Sequence, residues 1–139
     1  MKAVICCLLF CLPLKHLTIT SDFGYRVHPI TKQYRFHSGI DLRAHADTVF
    51  AVVSGRANLG FDPGLGINIK LVNDDLQIIY GHLSKVLAID SVNCGDPIAI
   101  TGATGFTTGE HLHLSIKYHG QPIDPLKFLY ELTIKSKSP

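Results

Sequence analysis

The sequence predicts an all-β domain, a compact and mostly antiparallel sheet packed as a partly open, barrel-like sandwich. Three observations lead there. Sustained helical periodicity is nearly absent from the 139 residues. Short alternating or β-branched runs recur in its place, and turn-forming clusters separate them at close intervals. Strands at such spacing, with no helical segments between them, pair as antiparallel neighbours.

The elements follow in order. "TVFAVV" (48–53) is a β-branched run closed by the turn chemistry of "SGRA". "DPGLG" then leads into "INIKLV" (67–72), which "NDD" (73–75) joins to "LQIIYGHL" (76–83) as a hairpin. "NCGD" precedes "PIAIT" (97–101), and the glycine-paced "TGATGFTTG" precedes "HLHLSIKY" (111–118). The last apolar stretch, "PLKFLYELTIK", is compatible with one short helix or with a loop. No repeat, low-complexity tract or linker divides residues 17–139, which form one domain of a size that buries a single core.

Hydrophobic residues make up 46% and charged residues 17%, a globular balance that argues against disorder. A net charge of +2 does not point to nucleic acid, although it suits a partner with anionic groups. Eight histidines beside one methionine and no tryptophan favour a metal or acid–base site.

Residues 1–16 stand apart as an apolar N-terminal segment. Lys2 is the only charge before a run from Ala3 to Leu14. That run is shorter than the ~20 residues needed to span a bilayer, but it matches the apolar core of a secretory signal. Export is therefore expected, with no stable membrane span after processing. No small-x-small cleavage site follows, and Phe10 precedes Cys11 where a lipoprotein signal places a small residue. A truncated start or an apolar first strand would look the same. Three cysteines lie in this segment, so Cys94 is alone in the body and no internal disulfide or Cys-x-x-Cys metal site is available there.

The chemistry-bearing residues are histidines and one aspartate. His111 and His113 are two apart on a strand, so their rings share a face. His37 and Asp41 flank Gly39 in "FHSGIDLRA". Taken alone, that spacing is also met by a surface histidine and a turn-capping aspartate. Together with one ring of the 111/113 pair, it makes two imidazoles and one carboxylate, the ligand count of a catalytic zinc with an open position. His82, in "IIYGHLS", ends an apolar strand. It is either a hydrogen-bonded structural residue or a proton acceptor for such a site. Glu110 neighbours His111 and so should face away from both rings.

These residues in this order resemble the M23 metallopeptidases, the lysostaphin/LytM-type zinc peptidases of peptidoglycan. "SDFGYRVHP" (21–29) is similar to the family's opening signature, and "HSGIDLRA" (37–44) to its HxxxD segment. "VFAVVSGRA", "GLGINIKL", "YGHLS", "GDPIAITGATGFTTGEHLHL" and "PIDPLKFL" follow in the family's order, so the likeness runs from Ser21 to Leu129. The resemblance implies a β domain with its site in a groove. It also implies zinc ligands at His37, Asp41 and His113, and non-ligand catalytic histidines at His82 and His111. The implied activity is a zinc endopeptidase cutting peptidoglycan stem peptides or cross-bridges, located in the cell envelope (periplasm or wall) or secreted, and monomeric. Two departures stand out. "RAHADTVF" lacks the Pro and Gly usual in that turn, where Asp47 is expected to tolerate unusual dihedrals. Leu114 replaces a common aromatic. Wall-anchoring modules are expected to be absent or supplied by a partner.

Two other functions fit the same residues: a non-catalytic wall-binding or hydrolase-activating relative, and a D-Ala-D-Ala carboxypeptidase with a related zinc site. Elsewhere, His16, His28, His45 and His119 are expected at the surface and Tyr80 in the packing. Tyr25 and Tyr34 either line a groove or pack. Arg26 either meets a substrate carboxylate or braces a turn. "GATGFTTG" lacks the Lys and following helix of a phosphate loop and is expected to border the groove.

Overall fold

The computed structural model describes residues 12–137, with side chains as far as Thr133. The apolar stretch 1–11 lies outside the described residues. Just beyond it, Leu14 is 2% exposed and belongs to the core, and the Pro13 carbonyl accepts from the Phe50 amide.

Twelve strands and one helix follow. They are β1 (Ile19–Ser21), β2 (Gly24–Val27), β3 (Tyr34–His37), β4 (Gly39–Arg43), β5 (Thr48–Phe50), β6 (Gly55–Asp62), β7 (Gly66–Asn73), β8 (Leu76–Val86), β9 (Asp90–Val92), β10 (Pro97–Thr101), β11 (His111–Tyr118), β12 (Gln121–Ile123) and α1 (Pro125–Lys137). The main sheet runs β1-β4-β11-β8-β7-β6-β9 and is antiparallel throughout; β10 bridges β5 and β8, and β12 extends β11. The sheet does not close into a barrel. A separate hairpin, β2–β3, stands beside it.

The predicted runs at 67–72, 97–101 and 111–118 are strands, and the turn at 73–75 is a hairpin with Asp74 at φ 50°. "LQIIYGHL" extends to Val86. "TVFAVV" is strand only through Phe50, because Ala51–Val53 leave the sheet while remaining buried in the core. β1, β2, β3, β4, β6, β9 and β12 go beyond the strands the pattern predicts. They are short or carry glycine and polar residues, and cross-strand pairing outweighs that local signal. The closing segment is helical.

Alternation divides the central strands into two faces. Leu112, Leu114 and Ile116 of β11, Ile40 and Leu42 of β4, and Ile78 and Tyr80 of β8 are at most 1% exposed and form the core. Burying such side chains contributes about 1.5–3 kcal/mol each. Tyr80 keeps its hydroxyl satisfied by accepting from the Val52 amide at 3.0 Å. The opposite face carries His111, His113 and Asp41, so the pleat that builds the core also builds the site.

Candidate metal centre and its groove

Asp41 of β4 is paired directly with His113 of β11, and His113 in turn with Gly81 of β8. His37, the last residue of β3, lies four before Asp41. This register brings His37, Asp41 and His113 together: one ligand atom from each lies within 4.8 Å of the other two. His37 Nε2 is 3.3 Å from His113 Nδ1 and 3.4 Å from Asp41 Oδ1, and the third side of the triangle, His113 Nδ1 to Asp41 Oδ1, is 3.0 Å. Bonds of about 2.0–2.2 Å to a tetrahedral divalent metal place ligand atoms about 3.3–3.6 Å apart. The two longer sides fall in that range. The short side is a hydrogen bond. Two imidazole nitrogens and a carboxylate oxygen converging this closely fit a cation.

Backbone carbonyls orient the rings. His37 Nδ1–H donates to the Asp22 carbonyl at 2.9 Å, leaving Nε2 as the free electron pair. His82 Nδ1–H donates to Thr104 at 2.7 Å, and His111 Nδ1–H to Gly109 at 2.9 Å with Thr107 Oγ1 at 3.2 Å. These tautomers follow from the hydrogen-bond network. His113 is reversed: Nδ1 faces Asp41, while Cε1 and Nε2 lie against Gly39, where a Cβ would come within 2.9 and 3.0 Å.

His82 reaches the site by a distortion of β8. Ile67 pairs with Leu83 and Ile69 with Tyr80, so β8 carries one extra residue there. His82 sits at φ 59°, and its amide donates to the Leu65 carbonyl. Such a bulge turns a side chain out of the regular alternation, at a cost of about 1–3 kcal/mol for the strained residue. It brings the His82 ring to 4.7 Å from that of His111 and 6.0 Å from that of His113, centroid to centroid. His111 Nε2 is 3.5 Å from Asp41 Oδ1. All five residues therefore line one groove of about 750 Å³.

Charge coupling among these side chains is strong. Burial alone would raise the Asp41 carboxyl, but His111, His113 and His37 hold it far below the usual carboxylate range. Burial alone would lower His111, yet the hydrogen bond and charge of Asp41 lift it overall. His82 is lowered by burial, against the pull of the Thr104 carbonyl.

The profile of Peptidase family M23 matches residues 35–125. The chain belongs to peptidase family M23. Among relatives in this family is the DD-carboxypeptidase/endopeptidase Mpg of Neisseria meningitidis serogroup B, 36% identical over 82% of this chain and 27% of that protein. A zinc-containing peptidase from Vibrio cholerae has a similar fold, with a TM-score of 0.75 at 30% identity over 84% of this chain and 39% of the other. The catalytic domain of lysostaphin from Staphylococcus simulans has a TM-score of 0.70 at 28% identity, covering 82% and 92%. The M23 chain described here thus spans about a quarter of the length of the curated relatives it matches, at 27%.

Several site features were not singled out from sequence. They are the carbonyls of Asp22, Thr104 and Gly109, the Thr107 hydroxyl, and the role of Gly39 as a floor under His113. Gly39 had a visible signal, lying between His37 and Asp41. The carbonyls had none, because any residue supplies one. At the departing turn, Ala46 rather than Asp47 takes the left-handed conformation (φ 50°). Asp47 instead accepts from the His45 amide and donates its own amide to Thr101 Oγ1. Glu110 turns away from both rings, to His45 Nδ1 at 2.6 Å and the Ala46 amide at 3.2 Å. His45 and His119 are exposed, whereas His28 stacks on Phe106 in the groove wall, with ring centroids 5.8 Å apart.

Proposed function

We propose that this M23 chain is a zinc-dependent endopeptidase that hydrolyses peptide bonds in the stem peptides or cross-bridges of peptidoglycan. The observation that carries this is the triangle of His37 Nε2, Asp41 Oδ1 and His113 Nδ1, with sides of 3.0–3.4 Å, flanked by two further anchored imidazoles. The likeness to the peptidoglycan DD-endopeptidases ShyB and ShyA of Vibrio cholerae, 31% identical over 78% of this chain, supports the substrate class.

His37, Asp41 and His113 would hold the ion, two imidazoles and one carboxylate leaving a fourth position open. Bound there, zinc would supply Lewis acidity towards the scissile carbonyl and lower the pKa of a water towards ~7. The chain's own residues handle the protons. His82 and His111 each have Nδ1 tied to a carbonyl, so each offers Nε2 to take a proton from the attacking water and pass it to the leaving amine. The other ring, when protonated, stabilises the developing oxyanion. Thr104 and Gly109 fix the two rings and spare the site that reorganisation. The groove admits an extended peptide across the open end of the triangle.

Envelope or extracellular location follows from the same substrate, and the apolar N-terminal segment is read as an export signal or its remnant. Among the described residues, no helix is long and apolar enough to cross a membrane. Zinc-loaded protein incubated with purified sacculi should release new amino groups, with cross-linked fragments converted to monomers by mass. A D-Ala carboxypeptidase would release single alanines, and a non-catalytic relative would release nothing. His113→Ala should abolish metal binding. His82→Ala should keep the metal and lose about 10²–10⁴ in turnover. Wild-type turnover by the His82 variant would refute its assigned role.

A further inference from the structure

The hairpin β2–β3 carries a feature that the five-residue site does not use. Gly24 pairs with His37, Tyr25 with Phe36, Arg26 with Arg35 and Val27 with Tyr34. Alternation sorts these pairs into two faces. Tyr25, Tyr34 and Phe36 form an exposed aromatic ladder on the outer face, Tyr25 stacked on Tyr34 at 5.5 Å. The inner face carries His37 and, one pair further along, both arginines, which line the groove. The Arg26 guanidinium stands beside the triangle, 3.9 Å from Asp41 Oδ2, with Arg35 opposite it on the hairpin.

Two cations directly opposite each other on a sheet repel. Among the described residues, nothing neutralises this pair within hydrogen-bonding distance. Asp41 Oδ2 faces Arg26 from 3.9 Å, beyond hydrogen-bonding distance, while the other oxygen of that carboxylate, Oδ1, is shared with three imidazoles. Arg35 bonds only the neutral Gln33 carboxamide, at 2.8 and 3.1 Å. Arg26 Nε is buried and meets no acceptor. A guanidinium fork with spare donors beside a hydrolytic centre matches a carboxylate in two-point geometry.

We propose that Arg26 and Arg35 form a carboxylate-binding subsite that selects substrates bearing a free carboxylate beside the scissile amide. This rests on the endopeptidase function proposed above. The shared chemistry has two sources in wall peptides: the carboxylate of a cross-linked diamino acid and the terminal carboxylate of a D-alanyl-D-alanine end. A polyglycine bridge offers an uncharged amide at that place. Arg26 is the principal residue, because it is the more enclosed of the two, and Arg35 supports it.

Two pairs of probes test this: a cross-linked stem peptide with the diamino acid as free acid or carboxamide, and a D-alanyl-D-alanine peptide as acid or amide. With the zinc-loaded full chain, the acid member of at least one pair should be cleaved with a kcat/KM about 10-fold or more above its amide. The pair that shows the preference identifies the source. Arg26→Gln should erase the preference mainly through KM, Arg35→Gln should weaken it, and Arg26→Lys should restore part. Acid and amide treated alike by the wild type would overturn the subsite. So would an Arg26→Gln variant that loses activity on both equally, which is the signature of a merely bracing arginine. Binding to the metal-free chain gives a readout without turnover: the acid peptide, and not the amide, should move the Arg26 and Arg35 amide signals in an NMR titration. Acid-selective binding without cleavage would uphold the subsite and remove the hydrolase; cleavage without selectivity would do the reverse.

Discussion

Gly39→Ala is the sharpest test of how the proposed metal centre is held. The added Cβ would sit 2.4 Å from the Leu114 carbonyl oxygen, about 1 Å inside the 3.4 Å at which ordinary contact begins, and 2.9 Å from His113 Cε1. The carbonyl belongs to the β4–β11 ladder and cannot swing aside as a flexible side chain would. The strands must part, or the His113 ring must tilt, and either movement carries Nδ1 away from its 3.0 Å approach to Asp41. Overpacking of this kind costs about 1–3 kcal/mol, and disturbing the support of a metal ligand costs about 10–100-fold in affinity. Competition against a chromophoric chelator reads the affinity, and thermal melting of the metal-free protein reads the stability. A variant that melts as the wild type does and binds zinc within twofold would refute the claim that His113 is set by contact with Gly39.

Three other perturbations follow from the same geometry. Gly66 is at φ 65°, and a Cβ there would meet the Thr104 carbonyl carbon at 2.4 Å, so Gly66→Ala should shift the anchor of His82. Zinc content should be retained while turnover falls about 10²-fold, measured by metal analysis beside peptide cleavage. His82→Gly should melt higher than His82→Ala by about 1 kcal/mol of stability, because only glycine takes φ 59° without strain; equal melting would remove the strain at the bulge. In chelator, pH should separate wild type from Asp41→Asn. Asp41 is depressed when folded, so its contribution is present above its ordinary 3.8 and lost as pH falls through the lower folded value. His111 is raised when folded, so its contribution is present below its ordinary 6.5 and lost as pH climbs past the raised value. The Tm advantage of wild type should therefore be greatest between those limits, and a pH-independent difference would contradict the coupling.

Pattern made the all-β class legible, along with the strands at 67–72, 97–101 and 111–118 and the hairpin at 73–75, since alternation and turn chemistry are local properties of the chain. It also put His111 and His113 on one face, because a strand allows nothing else. The choice of His113 for the metal triangle depends on register: β4 places Asp41 directly opposite it, and Gly39 leaves its ring room. His82 enters only because β8 takes in an extra residue, which no periodicity announces. The orienting carbonyls were invisible because any residue supplies one, and the facing of Arg26 and Arg35 because it depends on the β2–β3 pairing. Residue type and spacing determine which chemistry the chain can assemble. Strand pairing between segments some 70 residues apart determines which side chains meet, because hydrogen-bond register, unlike alternation, is a property of two strands at once.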